Sequence, residues 1–321
     1  MAVGGPPVLV VTRLDDATAD EVITELNRRR VPVVRLDPGD FPREVTLSGT
    51  FAATGTGGTL ATASRRVDLG DVRSVYWRRP TPYTADLAMD EQTGRWAVQE
   101  ARYGLGGILA ALPGAHYLNH PWRNRDAEYK PAQLATAAAC GFTVPPTLIT
   151  NDPDRARTFA AEHGPVLYKP LRETEYSDDT GRALTVWIED VTPRQIDDRL
   201  RHTAHLLQQR VSKSADIRLT AVGDRLTAVR IDGSPGVDWR RHYDRLTYTP
   251  VPVPPAIAEG VRAYLDAFGL SFGAFDFGLD REGVWHWYEC NPNGQWAWFP
   301  DHITAPITRA IADRLQHGAL A

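Results

Sequence analysis

The stretch from residue 271 to 296, "SFGAFDFGLDREGVWHWYECNPNGQW", constrains this chain most. Apolar residues alternate through "GAFDFGLD" and "VWHWYECN", and "REG" separates the two runs, so the pattern predicts a β-hairpin. Phe275, Phe277, Trp285 and Trp287 place that hairpin in a core or a cleft. Asp276, Glu289 and Asn291 stand out in such a setting. If the hairpin is centred on Glu282–Gly283 with a loop of even length, Asp276 falls opposite Glu289, with Cβ atoms about 4.5–5.5 Å apart. A loop of odd length would separate them. Two carboxylates so close repel unless a proton or a cation lies between them. Asn291 shares the face of Glu289, because strand side chains alternate. Three oxygen donors on one face suit magnesium, which keeps waters and takes other ligands from phosphates. The alternative is a polar strand end in solvent.

A magnesium site of this kind expects a polyphosphate, and no Walker-type loop exists to hold one. Arginine far outnumbers lysine here, so lysines in defined contexts carry information. Lys169 ends the apolar run "VLYKPL", which predicts a buried strand end where a point charge suits a phosphate oxygen. Lys130, in "NRDAEYKPAQL", falls in the first turns of a helix predicted from about Asp126 to Ala139 and stopped by Gly141. In "LLQQRVSKSADIRL" an apolar strand runs through Gln209, Arg210 and Val211 into a second strand carrying Asp216. Main-chain groups of such a connection can read an adenine edge, and the aspartate can hold ribose hydroxyls. Each lysine, taken alone, is also compatible with a solvated surface group.

Elsewhere, "PVLVVT", "ATADEVITELNRRR" and "VPVVRLD" read as strand, helix and strand, a βαβ opening without the glycine fingerprint of dinucleotide binders. "SVYWRRPTPY" predicts a strand that ends at Arg78 and Arg79. These arginines can dock substrate carboxylates, or they can be structural or surface groups. "PDRARTFAAEHG" and "TPRQIDDRLRHTAHL" read as helices. The chain has 321 residues, enough for two or three domains. We expect an N-terminal domain over 1–120, a central subdomain over 121–205 and a C-terminal subdomain over 206–321.

A formal charge of −4 with scattered basic residues argues against nucleic acid or an acidic membrane as partner. No apolar run approaches the ~20 residues that span a bilayer, and the N-terminus lacks the features of a signal peptide. Cys140 and Cys290 sit in no metal-binding pattern. They fit reduced thiols in a cytoplasmic protein, with a disulfide as the unsupported alternative.

Two lysines about 40 residues apart, "QQRV", "DIRL" and "FDFGLD…YECNPNGQW" together resemble the ATP-grasp fold. The likeness covers roughly residues 120 to 321, and the opening βαβ segment resembles a pre-ATP-grasp domain. It implies an α/β protein with two α+β subdomains enclosing ATP. It also implies that Lys130 and Lys169 contact phosphates, and that Gln209, Arg210 and Val211 line adenine. Asp216 would hold ribose, and Asp276, Glu289 and Asn291 would bind Mg2+. Arg240, in "VDWRRHYDRL", would steady the γ-phosphate, with Arg218 and Arg230 facing the same region. The stretches "VYWRRPTPY", "LYKPL" and "NPNGQW" narrow the resemblance to ATP-grasp ribosomal peptide maturases, the microviridin-type or graspetide ligases and their actinobacterial relatives. Such enzymes join Asp or Glu side chains of a precursor peptide to Thr or Ser hydroxyls or Lys amines. Relatives often carry glutamate at the first position of "QQRV", where this chain has glutamine. The resemblance further implies a leader segment, bound by residues 170 to 205, and homodimers. The acidic stretch "RETEYSDD" is alternatively a loop over ATP. Two other readings remain at this point: a different carboxylate–amine ligase, and an ATP-binding regulatory module without turnover.

Overall fold

The structure is a computed structural model, and it describes residues 5–53, 55–172, 176–234, 236–241 and 243–318. In chain order the elements begin with β1 (Val8–Val11), α1 (Ala17–Arg28), β2 (Val33–Leu36), β3 (Thr46–Ala52), β4 (Gly55–Ala61), β5 (Arg66–Asp68) and β6 (Ser74–Trp77). Next come α2 (Glu91–Leu109), β7 (His116–Leu118), α3 (Pro121–Ala127), α4 (Lys130–Ala139), β8 (Thr147–Thr150), α5 (Pro153–His163) and β9 (Val166–Lys169). Two short strands follow, β10 (Tyr176–Ser177) and β11 (Ala183–Leu184), then β12 (Glu189–Val191), β13 (His205–Gln209), β14 (Lys213–Val222) and β15 (Arg225–Asp232). The chain closes with β16 (Thr247–Val251), α6 (Pro255–Phe268), β17 (Phe272–Asp280), β18 (Trp285–Asn291) and α7 (Asp301–His317).

Two compact units result. The first holds residues 1–124, 270–272 and 295–321; the second holds 125–269 and 273–294. The final helix α7 therefore belongs with the N-terminal unit, where it lies against α1, β6 and β7. This differs from the expected assignment of everything after 206 to one C-terminal subdomain. The apolar positions of α7, among them Ile303, Ile307, Ile311 and Leu315, are buried and supply the reason.

The first unit carries a parallel sheet in the order β2-β1-β6-β7, as a βαβ opening predicts, and a separate antiparallel meander β3-β4-β5. The continuous apolar run of β1 fits a strand covered on both faces. Asp16 caps α1 by accepting the amide of Ala19.

The second unit carries two antiparallel sheets, ordered β12-β9-β13-β8 and β16-β15-β14-β17-β18. One face of the first packs on α5, through Ala156, Ala160, Val166 and Leu207. Behind the second lies an aromatic cluster, in which Tyr264 of α6 meets Phe275 at 5.3 Å and Trp287 at 6.0 Å between ring centroids. Buried aromatics thus cover one side of the β17–β18 hairpin and leave the other for polar groups.

Two expected helices differ. The helix predicted from Asp126 breaks and restarts at Lys130, because Pro131 has no amide to donate and restricts the residue before it. The Gln133 side chain donates to the Ala127 carbonyl at 2.6 Å and helps close the first segment. "TPRQIDDRLRHTAHL" forms only short 3-10 turns before β13. Asp197 accepts its own neighbour Arg199's amide at 3.0 Å, and Gln195 folds back on Thr192, local bonds that compete with a continuous helix.

Candidate active site

The β17–β18 register sets the site. Near the turn, Leu279 pairs with Trp285 and Phe277 with Trp287, so the loop is odd and not even as the centred hairpin required. Past a shift between Asp276 and Phe277, Asp276 pairs with Glu289 and Ala274 with Asn291. The extra residue is Tyr288, a β-bulge that returns the two carboxylates to the same rung. A bulge lets consecutive residues share a face. Tyr288 accordingly lies over Gly278, whose ideal Cβ would meet the tyrosine hydroxyl at 2.1 Å.

Cations meet both carboxylates. Lys130 Nζ lies 2.9 Å from Glu289, and Arg218 Nη1 donates to Asp276 at 2.7 Å. Lys130 pulls Glu289 down to about 2 against the opposing effect of burial. Burial raises the Asp276 carboxyl, with Arg218 working against it and the Glu289 charge adding to it. Asn291 Oδ1 accepts the Asn293 amide at 2.9 Å, which turns the chain directly after the strand. In that turn an ideal Cβ on Gly294 would meet Ala274 Cβ at 2.4 Å, so only glycine allows so close a passage.

Lys169 ends β9 and is 8% exposed. Its Nζ donates to Gln208 Oε1 at 2.8 Å and sits 4.6 Å from the Tyr288 ring centroid. Burial lowers its pKa to about 8, partly offset by Glu289. Lys130, Gln133, Lys169, Gln208 and Tyr288 line a cleft. Asp216, on the face of Arg218, is held by Lys213 Nζ at 2.7 Å from both carboxylate oxygens. Burial pushes its pKa up to about 6 despite that lysine. Arg240 bonds Asp238 through Nε and Nη2 at 2.9 Å. Burial opposes its charge, but Asp238 outweighs it and the pKa is raised, with smaller contributions from Glu289 and Asp276. Next to it, Arg241 reaches Glu189 at 3.3 Å and the Trp187 ring at 4.6 Å.

Lys130, Lys169, Lys213, Arg218, Arg240, Asp216, Asp276 and Glu289 thus form one charged group within the second unit. Lys130, Lys169 and Lys213 are the only lysines in the chain. The sequence reading missed Lys213, although that scarcity was its signal. It also missed Gln208. The register pairs Gln208 with Thr147 and Leu167, on the face of Lys169, while Gln209 pairs with Val166 and turns toward α5.

Several expectations are corrected. The amides of Gln209 and Arg210 donate to the carbonyls of Pro146 and Pro165, and the Val211 carbonyl accepts the Lys213 amide. An adenine edge would have to be met by the remaining main-chain groups of this stretch. The Arg210 side chain bonds Asp190 at 3.1 Å. Arg230 pairs with Ile217, whereas Arg218 pairs with Val229, so these two arginines occupy opposite faces of the sheet. Arg230 bonds Asp232 on its own face. Arg78 is 2% exposed and ion-paired with Asp16, and it donates to Gln295 Oε1 at 2.9 Å, all within the first unit. The structure thus holds it as a buried, ion-paired group, the structural alternative for this arginine. Arg79 is half-buried. In "RETEYSDD", Glu173, Thr174 and Glu175 lie outside the described residues.

The donors Asp276, Glu289 and Asn291 fit Mg2+ and not a softer ion. Among the described residues no cluster of three or more carboxylate, imidazole or thiolate groups exists to complete an all-protein shell. Two carboxylates and an amide leave places for water and phosphate oxygens. No helix among the described residues is long and apolar enough to cross a membrane.

Residues 7–125 match the MvdD pre-ATP-grasp domain family. A RiPP-associated ATP-grasp ligase from Chryseobacterium gregarium, solved with ADP and a leader and core peptide, superposes with a TM-score of 0.89. It is 26% identical over 98% of this chain and 97% of its own. The macrocyclase MdnC from Microcystis aeruginosa, bound with its precursor peptide MdnA, gives 0.86 at 27% identity over 97% and 100%. D-alanyl-alanine synthetase A from Vibrio cholerae shares the fold at 0.57 and 13% identity over the whole of both chains. No curated protein matches the sequence. Fold and site together define an ATP-grasp ligase. Its first domain is of the MvdD pre-ATP-grasp type, and over its whole length the chain is similar to ATP-grasp maturases of ribosomal peptides.

Proposed function

We propose that this chain is an ADP-forming ligase that closes rings in a ribosomally made precursor peptide, joining Asp or Glu side chains to Thr or Ser hydroxyls or to Lys amines. The observation that carries this reading is the Asp276–Glu289 rung ringed by Lys130, Lys169 and Arg218. A paired acid face inside a ring of cations suits a polyphosphate and its metal. The full-length likeness to peptide-bound ligases supports the choice of substrate.

Asp276, Glu289 and Asn291 would hold Mg2+, which supplies charge neutralisation for phosphate oxygens when bound. Lys130 would exchange Glu289 for a phosphate oxygen. Lys169, with one N–H given to Gln208, keeps donors for the triphosphate. Arg240, fixed by Asp238, would face charge that develops as the γ-phosphoryl passes to a peptide carboxylate. The acyl phosphate so formed loses phosphate to a hydroxyl or amine of the same peptide, and ring closure gains because both partners share one chain. Asp216 would hold ribose only if a ligand replaced its bond to Lys213. The two unpaired cysteines, Cys140 and Cys290, agree with a reducing compartment, and we place the enzyme in the cytoplasm.

The test is incubation with ATP, magnesium and a short precursor peptide encoded beside the gene. Loss of one water per ring, with stoichiometric ADP, is expected. ADP formed with free amino acids and not with the peptide would favour a different carboxylate–amine ligase.

A further inference from the structure

Three side chains behind the cleft form a line of hydrogen bonds with a fixed direction. Thr147 Oγ1 donates to the Pro145 carbonyl at 2.8 Å. Its oxygen accepts from Gln208 Nε2 at 2.9 Å. Gln208 Oε1 accepts from Lys169 Nζ at 2.8 Å. Neither end can reverse. A carbonyl can only accept, so the threonine hydroxyl must spend its proton on Pro145 and offer its lone pair to Gln208. A lysine ammonium can only donate, so it must meet the amide oxygen. Both ends demand the same orientation of Gln208, which is 2% exposed and paired on the ladder with Thr147 itself.

We propose that Thr147 and Gln208 are positioning residues that aim Lys169 at the triphosphate without adding a countercharge of their own. This rests on the reading of Lys169 as a phosphate contact. A neutral amide fixes the ammonium by one bond and takes no charge from it. A glutamate at 208 would do the opposite. Its carboxylate would pair with Lys169 directly, and Thr147 would have to turn its proton toward it and abandon Pro145. The glutamine is therefore matched to the threonine, and the two act as a unit.

The test compares ATP with adenosine, which lacks phosphates, by calorimetric titration of the full chain. Thr147→Val removes the hydroxyl at nearly constant volume, and Gln208→Glu reverses the line. Each is expected to weaken ATP by about tenfold, the equivalent of one charged hydrogen bond, with adenosine affinity unchanged. Thr147→Ser, which keeps the hydroxyl, restores ATP affinity. A loss that falls equally on ATP and adenosine, a serine variant as weak as valine, or a Gln208→Glu protein with normal ATP affinity would each overturn the proposal. Lys169→Met separates the two layers. If it leaves ATP binding intact, the phosphate reading itself fails; if it abolishes binding while Thr147→Val does nothing, only the positioning role fails.

Discussion

Asp276 and Glu289 share a rung of the β17–β18 ladder because Tyr288 is inserted between the turn register and theirs. Were Tyr288 held in the ladder instead of bulged, the register of the odd loop would set Asp276 opposite Tyr288 and Glu289 opposite Phe275. The bulge also brings Tyr288 onto the same face, over Lys169. One irregularity thus assembles the acid pair and roofs the buried lysine.

Replacing Asp276 by Asn or Glu289 by Gln is expected to lower peptide-dependent ADP release by on the order of 100-fold or more, since each removes a ligand charge from the metal. Both variants should need more magnesium for half-maximal rate. Magnesium titration of ADP release checks this. A wild-type magnesium requirement in both would remove these residues from the metal.

Arg78 yields a stability prediction. Its ion pair with Asp16 is buried in the first unit, with both side chains 1% exposed. The Asp16 carboxylate pays for burial through Arg78 and the Thr12 hydroxyl, and its pKa is lowered. Arg78→Ala strands that charge, a change that costs about 3–5 kcal/mol. A fall of roughly 10 °C in Tm is expected, from about 2–4 °C per kcal/mol in a domain of this size. A protein with unchanged Tm and weakened peptide binding would return Arg78 to the role of a substrate dock.

The sequence carried the chemistry more fully than the register. Alternation located Asp276, Glu289 and Asn291 on one face, and apolar context located Lys169 at a buried strand end. It could not show the bulge, because an inserted residue leaves the alternation of its flanks intact and "WHWYECN" reads the same either way. It missed Gln208 for a related reason. Two adjacent glutamines differ only in which face they take, and that depends on pairing with β8 and β9. Arg230 was grouped with Arg218 although a register with Ile217 puts it across the sheet. For Arg78 the sequence leaves a substrate dock, a surface group and a structural group all open, and only Asp16, distant in sequence, reveals the buried pair. Lys130 reaches its place because Pro131 restarts the helix there, a break that the reading of one continuous helix from Asp126 passed over.

The pH dependence of ATP binding follows from Lys169. Its folded pKa, about 8, lies below the ordinary lysine value because burial disfavours the charged form. Below pH 8 the side chain is protonated and ready for phosphate. Above it, binding must draw a proton from solvent, so ATP affinity falls as pH rises through 8, by up to about tenfold per unit. Calorimetry in two buffers of different ionisation enthalpy should report proton uptake on ATP binding near pH 9 and little near pH 7. Equal uptake at both would place the titrating group elsewhere.

Gly278 supplies a test of the bulge itself. A methyl there would meet Tyr288 Oη at 2.1 Å and Cζ at 2.6 Å, so the ring must leave its position. The tyrosine then no longer covers Lys169, whose cation–π contact is worth about 2 kcal/mol or less. Gly278→Ala is expected to weaken ATP by several-fold up to about thirtyfold. Tyr288→Ala should weaken it by a similar amount through the same loss. The double variant has no ring to displace, so its effect should match that of Tyr288→Ala alone and not the sum of the two. Additive losses would mean that Gly278 acts on the ladder and not through the tyrosine.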